Sequence, residues 1–204
     1  MKLNHEIVKD LLEIKAVQIK IDSYFTWTSG IRSPIYCDNR LTMSYPAIRK
    51  KIIKAFVKQI GQMDEKPDVI AGCATAGIPH AAWLAHAIDL PMVYVRSTPK
   101  GHGKGNQIEG HVEKGQKVLL IEDLISTGGS SLNAAKALLT EGVAVIGTFA
   151  IFTYGLEKST QQFKKEKIPL YTITSFDQLV DVLVEDNTIN KQESEKLLAW
   201  RDNL

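Results

Sequence analysis

From residue 68 onward the chain repeats one unit: a short aliphatic run, a turn of small or polar residues, then a helical period. The runs are DVIAGC (68–73), PMVYVR (91–96), GQKVLLIED (115–123), VAVIGTF (143–149) and IPLYTIT (168–174). A strand with one face in water alternates apolar and polar residues, so continuous β-branched runs belong to strands covered on both faces. Helices between such strands imply a parallel sheet. The expected fold class is α/β, a five-stranded, mostly parallel sheet flanked by helices. In such sheets ligands bind beyond the carboxyl ends of the strands, near a topological switch point. Each unusual stretch of this sequence falls at such an end.

The first third is organised differently. Ile7, Leu11 and Ile14, with Val8 and Leu12 beside them, give a short amphipathic helix. Ile48, Ile52, Ile53, Phe56, Val57 and Ile60 keep one face of a second helix, with Pro46 in its first turn and Gly61 as its stop. Between the two, IDSYFTWTSGIRSPIYCDNR reads as short strands and loops. Further helices are expected from about Gly77, through Leu132 to Leu139 with an end at Gly142, and in the polar stretch before residue 168. Two late helices open with capping boxes, Ser175 with Gln178 and Asn190 with Glu193. The 204 residues suit a single domain.

Charge excludes some partners. With 25 basic and 23 acidic residues there is no net field for nucleic acid or for an acidic membrane surface. No apolar window is long enough to span a bilayer, and the N-terminal residues mix charges among their apolar positions, unlike a signal peptide. Cys37 and Cys73 sit among apolar or small residues in no metal spacing, and read as reduced and packed. A soluble cytoplasmic protein is expected.

The chemistry concentrates in VLLIEDLISTGGS, Val118 to Ser130. Gly128 and Gly129 let an anion approach the backbone N–H groups that open the next helix, and Ser126, Thr127 and Ser130 add hydroxyl donors. That describes a monophosphate cradle; its plain alternative is a helix capped by Ser126 or Thr127. Glu122 and Asp123 precede it at the strand end, where carboxylates accept hydrogen bonds from a diol. An acid pair followed directly by a phosphate turn describes a ribose 5-phosphate. A second segment, RSTPKGHGKGNQIEG (Arg96 to Gly110), has the composition of a long mobile loop, and its Arg96, Lys100, His102 and Lys104 suit a polyphosphate. A third, CATAGIP, offers backbone N–H groups to a pyrophosphate or is a plain strand–helix connection. No G-x-x-x-x-G-K-[ST] occurs, and GHGKGN has Asn106 where a dinucleotide fingerprint needs its third glycine. His5, His80, His86 and His111 read as packing or surface residues, and Trp27, Trp83 and Trp200 as core or interface.

VLLIEDLISTGGS resembles the phosphoribosyl-diphosphate (PRPP) signature of type I phosphoribosyltransferases. With FTWTSGIRSPIYCDNR and RSTPKGHGKG, the chain is similar over nearly its full length to the orotate branch of that family. The resemblance implies the type I fold with a small N-terminal hood, residues 1–42, on a core of residues 43–204. It implies that Glu122 and Asp123 hold the ribose hydroxyls and that Leu124, Ile125, Ser126, Thr127, Gly128, Gly129 and Ser130 hold the 5-phosphate. Arg96, Lys100 and His102 would bind the diphosphate, with Lys100, His102 and Asp123 in the catalytic roles. Ser126 is the position associated with orotate, magnesium accompanies the diphosphate without direct protein ligands, and the loop is shared across a homodimer. The sequence departs from the family where some members carry lysines at positions 28, 76 and 97, occupied here by Thr28, Ala76 and Ser97. It also lacks an arginine within Thr153 to Glu157. Arg40, or backbone N–H groups around Ile35, Tyr36 and Cys37, is the expected replacement at the orotate carboxylate. A purine phosphoribosyltransferase and a non-catalytic PRPP-sensing regulator are the alternatives at this level.

Overall fold

The computed structural model describes residues 3–21, 23–26, 30–98 and 107–204. The chain opens with α1 (Leu3–Glu13), whose Ile7, Val8 and Leu11 are buried as their spacing predicts. Two small hairpin-like sheets follow. β1 (Val17–Ile19) pairs antiparallel with β4 (Ile35–Cys37), and β2 (Phe25–Thr26) with β3 (Arg32–Ser33). A 3-10 turn, Asn39–Ser44, leads into α2 (Pro46–Gln62), which runs one residue past Gly61. A lone glycine near a helix end lowers helix propensity by about 1 kcal/mol, which a packed face overrides.

The alternating units then follow in order: β5 (Val69–Cys73), α3 (Gly77–Ile88), β6 (Met92–Val95), β7 (Ile108–Glu109), β8 (Lys117–Ile125), α4 (Gly129–Thr140), β9 (Ala144–Thr153), α5 (Glu157–Lys165), β10 (Leu170–Ser175), α6 (Phe176–Glu185) and α7 (Lys191–Asp202). The central sheet has the order β10-β9-β8-β5-β6-β7. The five expected strands are parallel to one another. The expected count of five needs correction, because β7 adds a sixth, antiparallel to β6. Two residues carry no readable period, and β7 exists because the buried Ile108 folds back beside Val95. Strand order reverses between β5 and β8, which places a switch point where their carboxyl ends diverge.

Successive residues of β8 feed opposite sides of the sheet, as strand geometry requires. Leu119 and Ile121 join α1, α2, α3 and α6 through Leu11, Ile52, Phe56, Leu84 and Phe176, whereas Val118 and Leu120 join α4 and α5 through Leu138 and Phe163. The fit is closest under α3. A Cβ on Gly72 would lie 2.8 Å from the Cα of Ile78, and one on Gly77 would run into the carbonyl oxygen of Ile121. Of the two capping boxes, only Asn190 with Glu193 is reciprocal; Ser175 accepts from the Gln178 N–H without a return bond. At the other end, Trp200 of α7 packs on Phe176 and donates its indole N–H to the Arg32 carbonyl at 3.2 Å. Among the described residues no helix is long and apolar enough to cross a membrane.

Candidate functional site

β8 is longer than its neighbour on one side. Its pairing with β5 ends at Gly72 and Ile121, while pairing with β9 continues to Ile125 and Thr153. Past Ile121 the β5 side of the strand has no ladder partner, yet buried backbone groups require one. Side chains supply it at Asp123. The Asp123 N–H donates to Glu122 Oε1 at 3.0 Å, and its carbonyl accepts from Asn39 Nδ2 at 2.8 Å. Both backbone groups of Asp123 are thereby held by side chains.

The two acids have different surroundings. Glu122 is 6% exposed, and its Oε2 accepts from Ser131 Oγ at 3.2 Å. Burial, then the nearby Asp123 charge, pushes the Glu122 carboxyl up to about 8, and the Cys73 thiol hydrogen-bonds to it. Asp123 is half-buried. Burial raises it, while hydrogen bonds from Glu122 and from backbone N–H groups hold its charge in place. Burial raises both carboxyls, and Glu122 is the more deeply buried of the two. Both nearby thiols are neutral: Cys37 is raised by burial and by Asp123 and Asp38, and Cys73 by burial and by Glu122.

The turn after β8 decides between cradle and plain cap. The N-cap of α4 is Gly128 at φ +80°, and no side chain caps the helix, so neither Ser126 nor Thr127 does so. The left-handed backbone and the ring of Phe163, 2.8 Å from any Cβ placed there, both demand glycine at 128. The first-turn N–H groups of α4 therefore open on a surface formed by half-buried Ser126 and exposed Thr127, Gly129 and Ser130. Leu124 and Ile125 are the last residues of β8 and support the turn from below.

On the β6 side, Gln107 closes the base of the basic segment. Its carbonyl accepts from the Arg96 N–H at 2.8 Å, and its side chain donates to the Arg96 carbonyl at 2.7 Å. The Arg96 guanidinium reaches Glu109 at 3.3 Å. Arg96, Ala74, Gln107, Ser130 and Asn133 line a cavity of about 150 Å³ that joins the CATAG turn to the first turn of α4. Lys100, His102 and Lys104, like Trp27 and Thr28, lie outside the described residues.

Arg40 stands near this end of β8 but is engaged. It holds Asp38 through Nε at 2.6 Å and Nη2 at 2.8 Å, which draws Asp38 below the usual carboxylate range. Tyr36 is exposed and leans on Phe25 at 5.8 Å. In the Thr153 to Glu157 turn, a Cβ on Gly155 would lie 3.2 Å from Arg201 Nη1, a guanidinium supplied by α7 and paired with Asp177. His80 is fully buried, edge-on to Trp83 at 5.3 Å, and burial lowers it to about 4. Among the described residues no three His, Cys, Asp or Glu side chains gather in a way that could hold a metal ion.

Three contributors to this site were not anticipated from sequence: Asn39, Cys73 and Ser131. Asn39 carried a weak signal as a polar residue that the structure buries completely, but nothing in CDNR shows that it reaches 84 positions along the chain.

A model of the phosphoribosyl transferase domain matches residues 44–185. An orotate phosphoribosyltransferase of Oceanobacillus iheyensis is 58% identical over 99% of this chain and 100% of its own length. One from Fusobacterium nucleatum is 55% identical over 99% of this chain and 97% of its own. Among solved structures, the orotate phosphoribosyltransferase of Aeropyrum pernix superposes with a TM-score of 0.77 at 26% identity, covering 90% of this chain and 99% of that one.

Proposed function

From the premise that this chain belongs to the phosphoribosyltransferase family, and within it to the orotate phosphoribosyltransferases, we propose that the carboxyl end of β8 binds PRPP and that the enzyme transfers its ribose 5-phosphate to orotate. The products are orotidine 5′-monophosphate and pyrophosphate, a step of pyrimidine nucleotide synthesis. The observation that carries the site assignment is the uncapped, glycine-led start of α4 shortly after an acid pair of buried Glu122 and half-buried Asp123.

In this reading the 5-phosphate sits on the N–H groups of Gly129 and Ser130, with hydroxyls of Ser126 and Thr127 around it. The positive end of the α4 dipole favours the dianion. Asp123 accepts from the ribose hydroxyls, and its negative charge lies near the ring. Displacement at the anomeric carbon builds oxocarbenium character there, so a fixed carboxylate lowers the barrier without having to reorganise. Arg96, Lys100 and His102 take up the diphosphate as it leaves, and the CATAG turn offers its backbone from the other side. Arg96, Lys100 and His102 would share that charge with magnesium carried by the diphosphate, which would supply further electrostatic neutralisation. The orotate carboxylate is met by Arg40 or by the backbone around Tyr36, with Ser126 beside the base. The enzyme is proposed to work in the cytoplasm as a homodimer whose basic loop serves the neighbouring site.

The experiment is direct: orotate absorbance is followed in purified protein after addition of PRPP and magnesium. Loss of the orotate signal with stoichiometric release of pyrophosphate is expected. Turnover of adenine or hypoxanthine in place of orotate would refute the assignment, and binding of PRPP without any turnover would turn the protein into a sensor.

A further inference from the structure

We infer that Trp200 is a positioning residue for orotate: its indole N–H ties the β2–β3 hairpin to the carboxyl ends of β9 and β10, and so sets the backbone around Tyr36 against the base. The inference rests on the proposed transfer to orotate and deepens it, by giving base recognition a contact between the two ends of the chain.

The matched family domain spans residues 44–185, and both partners in this contact lie outside it. A domain shared across the family answers to the substrate its members share, so the elements added around it are where one base is told from another. On the core side α7 is held at two points. The Trp200 ring packs at 6.0 Å on fully buried Phe176, which follows β10 and opens α6. The Arg201 guanidinium grips Asp177 at 2.9 and 3.1 Å and lies against Gly155 in the turn after β9. In that turn the Tyr154 N–H donates at 3.0 Å to the carbonyl of Ile125, the last residue of β8. The final turn of α7 is thus registered to the strand that carries Asp123.

On the hairpin side, the indole N–H lands on the Arg32 carbonyl, one residue before a buried pivot. Ser33 is fully buried; its Oγ donates to the Ile35 carbonyl at 2.7 Å and accepts the Ile35 N–H at 3.1 Å. Ile35 opens β4 opposite Ile19. Exposed Tyr36 comes next and leans on Phe25 of β2. Strands of two residues do not hold a hairpin in place by themselves. A donor fixed on the core therefore sets where this segment stands over the end of β8.

The test measures the orotate KM at saturating PRPP and magnesium, and PRPP binding by calorimetry, in Trp200→Phe and Arg201→Ala. Trp200→Phe keeps a ring on Phe176 and removes the donor. It should raise the orotate KM at least about threefold while PRPP affinity stays within about twofold of wild type. Arg201→Ala frees α7 from Asp177 and should move the same two readings the same way. A smaller rise in orotate KM would overturn the inference. So would a loss shared equally by orotate and PRPP, which marks general loosening of the fold rather than placement of the base. If Trp200→Phe does not fold, Arg201→Ala decides alone by the same readings. Wild-type protein that binds PRPP and leaves orotate unconsumed would instead overturn the underlying reading of the reaction.

Discussion

Gly77→Ala is the smallest change that tests how the site is held. Gly77 opens α3 with no positive φ, so alanine suits its backbone and by propensity alone would stabilise the helix. What opposes it is β8: the new methyl would collide with the Ile121 carbonyl oxygen, a backbone atom that cannot rotate aside. Restoring an ordinary C···O separation of roughly 3.3 Å requires α3 to retreat by about 1 Å. Overpacking of this kind costs about 1–3 kcal/mol. For a chain of this size that is a fall in Tm of roughly 3–10 °C. The retreat also moves the CATAG turn relative to Asp123, and a misplacement of about 1 Å can lower kcat/KM on the order of 10²-fold. Thermal unfolding and initial rates at varied PRPP measure both. Gly61→Ala is the control, because its Cβ would meet nothing within 4 Å in α2 and should leave Tm unchanged or raise it. A Gly77→Ala protein with wild-type Tm and kcat/KM would refute the claim that this close approach positions the site.

Arg40→Ala should raise the orotate KM severalfold while leaving Tm within about 2 °C, because an exposed ion pair contributes roughly 0–1 kcal/mol; a normal orotate KM would remove Arg40 from base recognition. Lys100→Ala should lower kcat by more than about tenfold with little change in Tm, as loss of a cation at a departing diphosphate implies; an unchanged kcat would exclude that lysine from the chemistry. For His80, burial lowers the folded-state value to about 4 from 6.5, so the unfolded chain binds the extra proton first. Its contribution to stability is complete above pH 6.5 and is lost as pH falls from there towards 4, about 3 kcal/mol at the limit. His80→Leu should flatten that part of the urea-midpoint profile, and an unaltered acid limb would show that the loss has another source.

The parts of the fold legible in the sequence are those where one face repeats often enough to be read. α2 shows its period over four turns, and β5, β8 and β9 are continuous aliphatic runs, so both their state and their burial followed. β7 and the strands of the N-terminal segment are two or three residues long, and tertiary contacts alone decide them. The uncapped glycine turn before α4 was legible because the glycines and hydroxyls proposed to surround one anion stand adjacent in sequence. The support behind it was not. Asn39, Cys73 and Ser131 converge on Glu122 and Asp123 from three separate elements, and nothing local in the sequence encodes such a meeting. The pairing of Arg40 with Asp38 needed the structure too, although two residues of opposite charge stood only two positions apart.

The hydrogen bond between Trp200 and Arg32 spans 168 positions. During synthesis β3 cannot gain this bond until α7 has emerged. Ribosome-stalled chains lacking that last helix could therefore build the parallel sheet well before the N-terminal strands gain their clamp.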